Sequence, residues 1–521
     1  MLDTEKSLRG VEQPVDGILY RGLVGWATVQ PDLPYVIEAE TGREITYEKT
    51  LAAVNTFRRF LGATPRCMLV ALPGGIVDSL LWISAITGGH FLVPVSPGAT
   101  REEKARAANR QQPDLLFVER EEDANDFAYP SAMVVTRDMC EVLLKQASSL
   151  DPLIPLEGRA CLTTSGTTGE PKGVVLSARQ IAWTADHVRI SHRLSNRDRG
   201  LTVLPFFHVN APVVSLFASL LAGGSVVIAP RFSRRNFWSW IERYRITWAS
   251  IVPTIVAILL ETEKPAFLPG TLRFMRTGSA SLPGADMRKF EERFGIPVIE
   301  TYGLSEAASQ VAANPVPPGK HKAGSAGRPV GVTMRICVPR NKQDGEEMHE
   351  VRKGETGEIC ISGPAVIHAY QNDAGKDAFQ GEWFRTGDLG YMDEDGYLFI
   401  KGRLREVVNR GGENIAPREV EEALLSLPIV REAAVVGRPD HIYGEVVVAY
   451  IVLQGKWSEQ MEQELRQHAA QLLSAYKVPV AFIPLDSLPK NATGKIERHV
   501  LRAREQARFA AQAVANSAQA S

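Results

Sequence analysis

Between residues 67 and 97 the chain reads CMLVALPGG, then a helix-length stretch DSLLWISAITGG, then HFLVPVSP. The outer two are short continuous apolar runs bounded by glycine or proline, the signature of buried strands. The middle stretch is closed by Gly88-Gly89 and is too long for a strand. Strand, helix, strand is βαβ grammar, and it implies a parallel sheet. The same alternation holds over residues 46 to 140 and then recurs. TVLPF precedes a helix over 211–222, SVVIAP (225–230) precedes a helix over 233–244, and TWASIVP and LRFMRTGS supply two more strands. The fold class is therefore α/β, a large N-terminal domain of parallel-type sheets with helices. From about 325 to 403 the strand-like MRICV, GEICISG and GYLFIKGR are separated by glycine-rich turns, which predicts a β-rich subdomain. Beyond Gly402-Arg403 the grammar changes again, to a compact α+β unit with a helix over 458–474. The predicted boundary lies near Leu404-Arg405, giving an N-terminal domain 1–404 and a small C-terminal domain 405–510. The Ala-rich tail 511–521 has weak caps and is expected to fray.

Composition narrows the function by exclusion. At 521 residues the chain exceeds a single core. A net charge of −1 gives no electrostatic case for nucleic acid or an anionic membrane. Five cysteines, widely spaced and without a CxxC pair, cannot form a complete disulfide framework; reduced thiols and a cytoplasmic location are expected. The N-terminal MLDTEKSLRGVEQPVDG carries no apolar run, so no signal peptide is expected, and no apolar stretch is long enough for membrane insertion.

The most informative local sequence is LTTSGTTGEPKG, Leu162 to Gly173. It packs Thr163, Thr164, Ser165, Gly166, Thr167, Thr168 and Gly169 before Pro171-Lys172-Gly173. Small residues let backbone N–H groups crowd an anion, hydroxyls add donors, and Lys172 adds charge. The loop grips phosphate, but it is not a Walker A loop, since no Gly-Lys-Ser/Thr stands at that spacing. Taken alone, such composition is ordinarily a surface loop.

Further motifs accompany it: LPFFHVNAP (204–212), Gly278-Ser279-Ala280, ETYGLSE (300–306), WFRTGDLGYMDEDGYLFIKGR (383–403), LREVVNRGGENIAPREVEEAL (404–424) and PKNATGKIERHVL (489–501). In this order the set resembles the adenylate-forming superfamily of acyl-CoA synthetases, stand-alone adenylation domains and beetle luciferases. PRFSRRNFW (230–238), TWASIVPTI (247–255) and NPVPPGKHKAGSAGRPVG (314–331) are most similar to oxalate-CoA ligase-like acyl-CoA synthetases.

The resemblance implies activation of a carboxylic acid by ATP to an acyl-adenylate, with pyrophosphate released, then transfer to the thiol of coenzyme A. An anionic carboxylate must meet an anionic α-phosphate, so the site needs cations, Mg²⁺ and oriented donors. By resemblance, Thr164 to Gly169 and Lys172 meet the β,γ-phosphates. Gly278, Ser279 and Ala280 line adenine and the acyl pocket, with Ser279 in place of the usual alanine. Glu300, Thr301, Tyr302 and Gly303 continue the nucleotide wall, Tyr302 packing on adenine and Gly303 also bordering the acyl group. Ser305 meets the α-phosphate and Glu306 holds Mg²⁺. Asp388 accepts the ribose hydroxyls, and Arg403 contacts ribose or phosphate. Arg405 stands at the hinge. Gly411 and Gly412 approach the pantetheine arm, and Arg231 approaches the 3′-phosphate of CoA. Lys495 bridges carboxylate and α-phosphate in the first step only, so the C-terminal domain must move. His208 lies between the acyl pocket and the thiol tunnel. Asn210 and Ala211 border the acyl group, where the oxalate ligases carry His and Gly; this argues against oxalate, because the sequence names no cation for a second carboxylate.

Two other functions fit the motifs less well. A stand-alone adenylation enzyme loading a separate carrier protein would share every nucleotide residue; Arg231 weighs toward CoA. A nucleotide-binding protein without turnover would not need Lys172, Glu306, Asp388 and Lys495 together.

Overall fold

The computed structural model describes residues 16–164, 172–265, 270–339, 348–371, 375–490 and 496–519. The predicted phosphate-loop residues Ser165, Gly166, Thr167, Thr168 and Gly169, and the predicted Lys495, lie outside the described residues.

The βαβ grammar resolves into two sheets. Strands Met133–Thr136, Leu115–Val118, Cys67–Ala71, Phe91–Pro94 and Arg159–Thr164 run parallel, and Lys172–Ser177 closes that sheet antiparallel to Arg159–Thr164. A larger sheet carries six parallel strands in the order Val298–Leu304, Phe274–Thr277, Trp248–Ile251, Arg199–Thr202, Ser225–Ile228 and Pro34–Glu38, with antiparallel strands at both edges. Helix Ile76–Thr87 is buried on every side, its apolar residues packing into the central core.

The predicted β-rich stretch forms an antiparallel sheet of Thr333–Cys337, Gly357–Ser362, Trp383–Met392, Phe379–Gln380 and Leu398–Arg403. Its core residues, such as Ile359 and Leu398, join the same core as the large sheet. A single short turn, Leu404–Glu406, leads from it to Val408–Arg410 and a last sheet built on the long hairpin Val430–Asp440/Gly444–Leu453. That part carries hydrophobic clusters of its own, centred on Val447 and Tyr450.

Two helices differ from expectation. The stretch 211–222 is not one α-helix: Asn210–Phe217 winds as a π-helix and only Ala218–Ala222 is α-helical. Helix 233–244 shortens to Phe237–Arg243. The terminal helix spans Arg498–Gln519, and residues 520–521 of the tail expected to fray lie outside the described residues. No helix among the described residues is long and apolar enough to cross a membrane.

Candidate active site

The carboxyl ends of the parallel strands of the large sheet open onto one cavity of about 1390 Å³, lined in turn by Val203, Pro230, Val252, Ser279 and Gly303. This is where open α/β sheets place ligands. A second hollow continues from it, sharing Ser279, Thr301, Gly303, Asp388 and Arg403, and is closed on its far side by C-terminal residues including Arg418 and Arg498.

At one end of the cavity Lys172 begins its strand, and its Nζ lies 4.8 Å from the ring centroid of Tyr370. The Tyr370 hydroxyl donates to Glu306 Oε1 at 2.8 Å. Burial and the Glu306 carboxylate push the Tyr370 pKa up, so the phenol keeps its proton and remains a donor. Ser305 and Glu306 form a short turn directly after the strand Val298–Leu304. Cation, phenol and carboxylate thus follow one another along the wall. The sequence offered no signal for Tyr370, which stands alone in HAYQN.

In the middle, the antiparallel pairing of Trp383–Met392 with Leu398–Arg403 sets Asp388 opposite Arg403. Arg403 Nε reaches Asp388 Oδ1 at 3.1 Å, and the Tyr302 hydroxyl donates to Oδ2 at 2.6 Å. Asp388 raises the Arg403 pKa, and burial together with Asp388 raises that of Tyr302, so both stay protonated. Gly387 has a φ of 72°, a left-handed turn that the residue before Asp388 must adopt. Tyr302, expected as a stacking ring, therefore also anchors the carboxylate expected to hold ribose. Thr301 ties the same wall together by donating to the Thr277 carbonyl at 2.8 Å. Ser279 is a non-glycine residue at φ 70°, a strained conformation at the end of strand Phe274–Thr277, and it lines both hollows. Ala280 follows it on the nucleotide side. Glu300 is buried; its Oε1 accepts from Leu282 N at 3.2 Å, and burial pushes its pKa up to about 7.

At the other end stand His208, Asn210 and the wall around Gly278. Burial lowers the His208 pKa to about 4, so the ring is neutral at pH 7. The guanidinium of Arg276 lies here, and Nη1 donates to Asn210 Oδ1 at 2.9 Å. Arg276 is a cation the sequence reading missed; its one signal is a charge inside the apolar strand LRFMRTGS. A Cβ on Gly278 would lie 2.9 Å from Thr301 Oγ1 and 3.3 Å from both Nη atoms of Arg276, so glycine keeps this wall open. Ala211 does not border the cavity. Neighbouring residues of a helix point in different directions, and Ala211 turns into the main core while Asn210 faces the hollow.

The residues expected to meet CoA and to form the hinge lie apart from one another. Arg231 is exposed on the cavity rim. Gly411 and Gly412 form the turn of the hairpin Val408–Arg410/Glu413–Ile415 with φ of 60° and 95°, and they do not line the cavity. Arg405 lines it, and its carbonyl accepts from Arg502 Nη1 of the terminal helix at 2.8 Å.

The profile of the AMP-binding enzyme family matches residues 23–371, and that of the AMP-binding enzyme C-terminal domain matches 419–495. Sulfoacetate–CoA ligase of Cupriavidus necator is 36% identical over 90% of this chain and 94% of its own length. Oxalate–CoA ligase of Arabidopsis thaliana is 40% identical over 83% of this chain and 87% of its own. Among solved structures, ATP-bound MatB from Rhodopseudomonas palustris matches with a TM-score of 0.82 at 26% identity, covering 94% of this chain and 99% of that one. MenE of Bacillus subtilis with its acyl-adenylate intermediate matches with a TM-score of 0.78 at 27% identity, over 94% and 98%. With both family profiles on one chain and CoA ligases as its relatives over most of their length, the protein belongs to the AMP-binding enzyme family and is an AMP-forming acyl-CoA ligase.

Proposed function

We propose that this cavity runs both half-reactions on a small carboxylic acid, and we assign its residues as follows. The carrying observation is that Lys172, Tyr370, Glu306, Asp388, Arg403, His208 and Asn210 line one hollow, with Tyr302 reaching Asp388 from the adjoining one. Lys172 draws the β,γ-phosphates to one end, and Asp388 accepts the ribose hydroxyls. The acid sits beside Asn210 and Gly278. Its carboxylate oxygen attacks the α-phosphorus, the bond to the pyrophosphate oxygen breaks, and an acyl-adenylate results. Arg403 and Ser305 face the charge that builds at the α-phosphate. The CoA sulfur then attacks the acyl carbon and AMP departs.

Mg²⁺ fits this site as an ion shared with phosphate. No group of three ligating side chains exists among the described residues, but Glu306 supplies one carboxylate, the usual protein share when phosphates complete the sphere. When bound, the ion neutralises phosphate charge. Tyr370 orients the Glu306 carboxylate toward that role.

In this proposal the unit beginning near Arg405 is a mobile domain that delivers Lys495 for the first step and removes it for the second. Lys490 and Ile496, on either side of Lys495 in the chain, line the nucleotide hollow, which supports the assignment. Arg231 on the rim supports free CoA as the acceptor. Five free cysteines accord with a reducing, cytoplasmic setting. The test is acid-dependent pyrophosphate release over a carboxylate panel, repeated with CoA. Lys495→Ala should lower adenylate formation on the order of 10²-fold or more, while thiolysis of a supplied acyl-adenylate persists. Equal loss in both half-reactions would refute the two-conformation assignment, and absence of thioester with free CoA would refute the acceptor.

A further inference from the structure

The cavity contains a charge that the adenylation chemistry does not use. Arg276 is the third residue of Phe274–Thr277, a strand buried at every position, and it is itself 2% exposed. An isolated cation in such a place is costly unless something pairs with it. Among the described residues no carboxylate does. Its recorded partners are neutral acceptors: Nη1 donates to Asn210 Oδ1 at 2.9 Å and to Ser250 Oγ at 3.3 Å. Nη2 makes no hydrogen bond among the described residues, and Nε is buried without a partner. Burial alone lowers the Arg276 pKa to about 9, which still leaves the group charged at pH 7.

The guanidinium is nevertheless fixed. Asn210 enters from the π-helical turn and Ser250 from the adjacent parallel strand, where it pairs in register with Arg276. Ser250 also donates toward Asn210 Oδ1 at 3.4 Å. The fork is thus held in place by two neutral side chains, and Arg276 lines the cavity together with His208 and Ser279. Gly278 leaves its end uncovered, since any Cβ there would press on both Nη atoms. A planar donor fork, anchored but unneutralised, matches the oxygens of a second acidic group.

We propose that Arg276 selects short acids bearing a second anionic group, a carboxylate or a sulfonate, which it binds while Asn210 and Ser250 position it. This rests on the acyl-CoA ligase assignment and names the class of acid. It also gives Asn210 a purpose: a neutral amide steadies the fork where an acidic side chain would cancel it.

The test compares matched acids on the full-length enzyme: malonate against propionate, succinate against butyrate, and sulfoacetate against propionate. The readout is kcat/KM for acid-dependent pyrophosphate release. At least one dianion should exceed its monoanionic match on the order of 10²-fold, as expected for a site built around a specific polar contact. The malonate and sulfoacetate arms separate carboxylate from sulfonate. Arg276→Gln should remove the preference through KM for the acid, leaving KM for ATP nearly unchanged. Because Arg276→Gln alters the core, Asn210→Asp serves as a second variant: it keeps a partner for the cation, satisfies it internally, and should also abolish the preference. Thermal stabilisation by malonate in the presence of AMP is measured in parallel, and should appear in the parent enzyme and vanish in both variants. If no acid releases pyrophosphate, the ligase assignment fails and this binding readout alone decides the role of Arg276. A parent enzyme that favours monoanions, or folded variants that keep the dianion response, would overturn the proposal.

Discussion

Glu300 shows how this site treats its charges. Folding buries the carboxyl, and the Leu282 N–H and the Arg418 charge recover only part of its lost hydration. Its pKa therefore rises from 4.5 to about 7. Between those values the folded protein holds a proton that the unfolded chain has released, so this residue makes stability fall as pH rises through the window. Glu300→Gln removes the titration. The variant should lose less stability than the parent between pH 5 and 7.5, by up to about 3 kcal/mol. Thermal unfolding across that range checks it; parallel pH profiles for the two proteins would show that Glu300 is ionised at no extra cost. His208 shifts in the opposite sense. Its pKa falls from 6.5 to about 4, so it contributes stability that is present near neutrality and lost as pH drops through that interval.

At the scale of elements, the site is built where two strands approach more closely than side chains allow. Gly303 pairs with Gln310 across an irregularity in the register, and a Cβ at Gly303 would sit 1.7 Å from the Ser309 carbonyl oxygen. The obstacle is backbone, so it cannot rotate away. Gly303→Ala should cost about 2–3 kcal/mol or more and lower the thermal midpoint by several degrees, with or without nucleotide. A midpoint equal to that of the parent would mean the strand pair slides to make room. The same elements show what the sequence could convey. Residues of one contiguous motif, such as Tyr302, Ser305 and Glu306, were legible because a strand and the turn after it keep their local order. Asp388 and Arg403 were legible as separate motifs, and the hairpin register makes them a pair. Tyr370 and Arg276 were not legible as site residues: each acts through neighbours far away in the chain, and neither has a local pattern to mark it. Ala211 was misplaced for a related reason. The sequence shows that it follows Asn210, but the π-helical winding decides that only Asn210 faces the cavity.

At the scale of the molecule, everything beyond Glu406 is joined covalently to the nucleotide wall through one turn. Arg403, just before that turn, is paired with Asp388, while Arg405 within it has its carbonyl held by Arg502. Arg498 pairs with Glu421 at 2.7 Å and approaches Glu406 at 3.8 Å within the C-terminal part, whereas Arg431 reaches across to Glu261 of the N-terminal part at 3.3 Å. The Arg431–Glu261 pair is about half exposed on both sides, and an exposed ion pair of this kind holds surfaces together weakly. In the proposed motion, a rotation at Arg405 swings the C-terminal part while Arg403 stays on Asp388. Proline at position 405 would fix φ near about −65° and stiffen that joint. If the proposed motion separates the two half-reactions, Arg405→Pro should leave acid-dependent pyrophosphate release within about threefold of the parent and slow thioester formation at least about tenfold, as for a rate set by a conformational step. Single-turnover measurement of acyl-adenylate and acyl-CoA from the same reaction distinguishes the two. Accumulated adenylate with little thioester is the expected pattern. Equal slowing of both products would place the effect of proline on the nucleotide wall through Arg403, and unchanged rates would place the pivot at another bond of the Leu404–Glu406 turn.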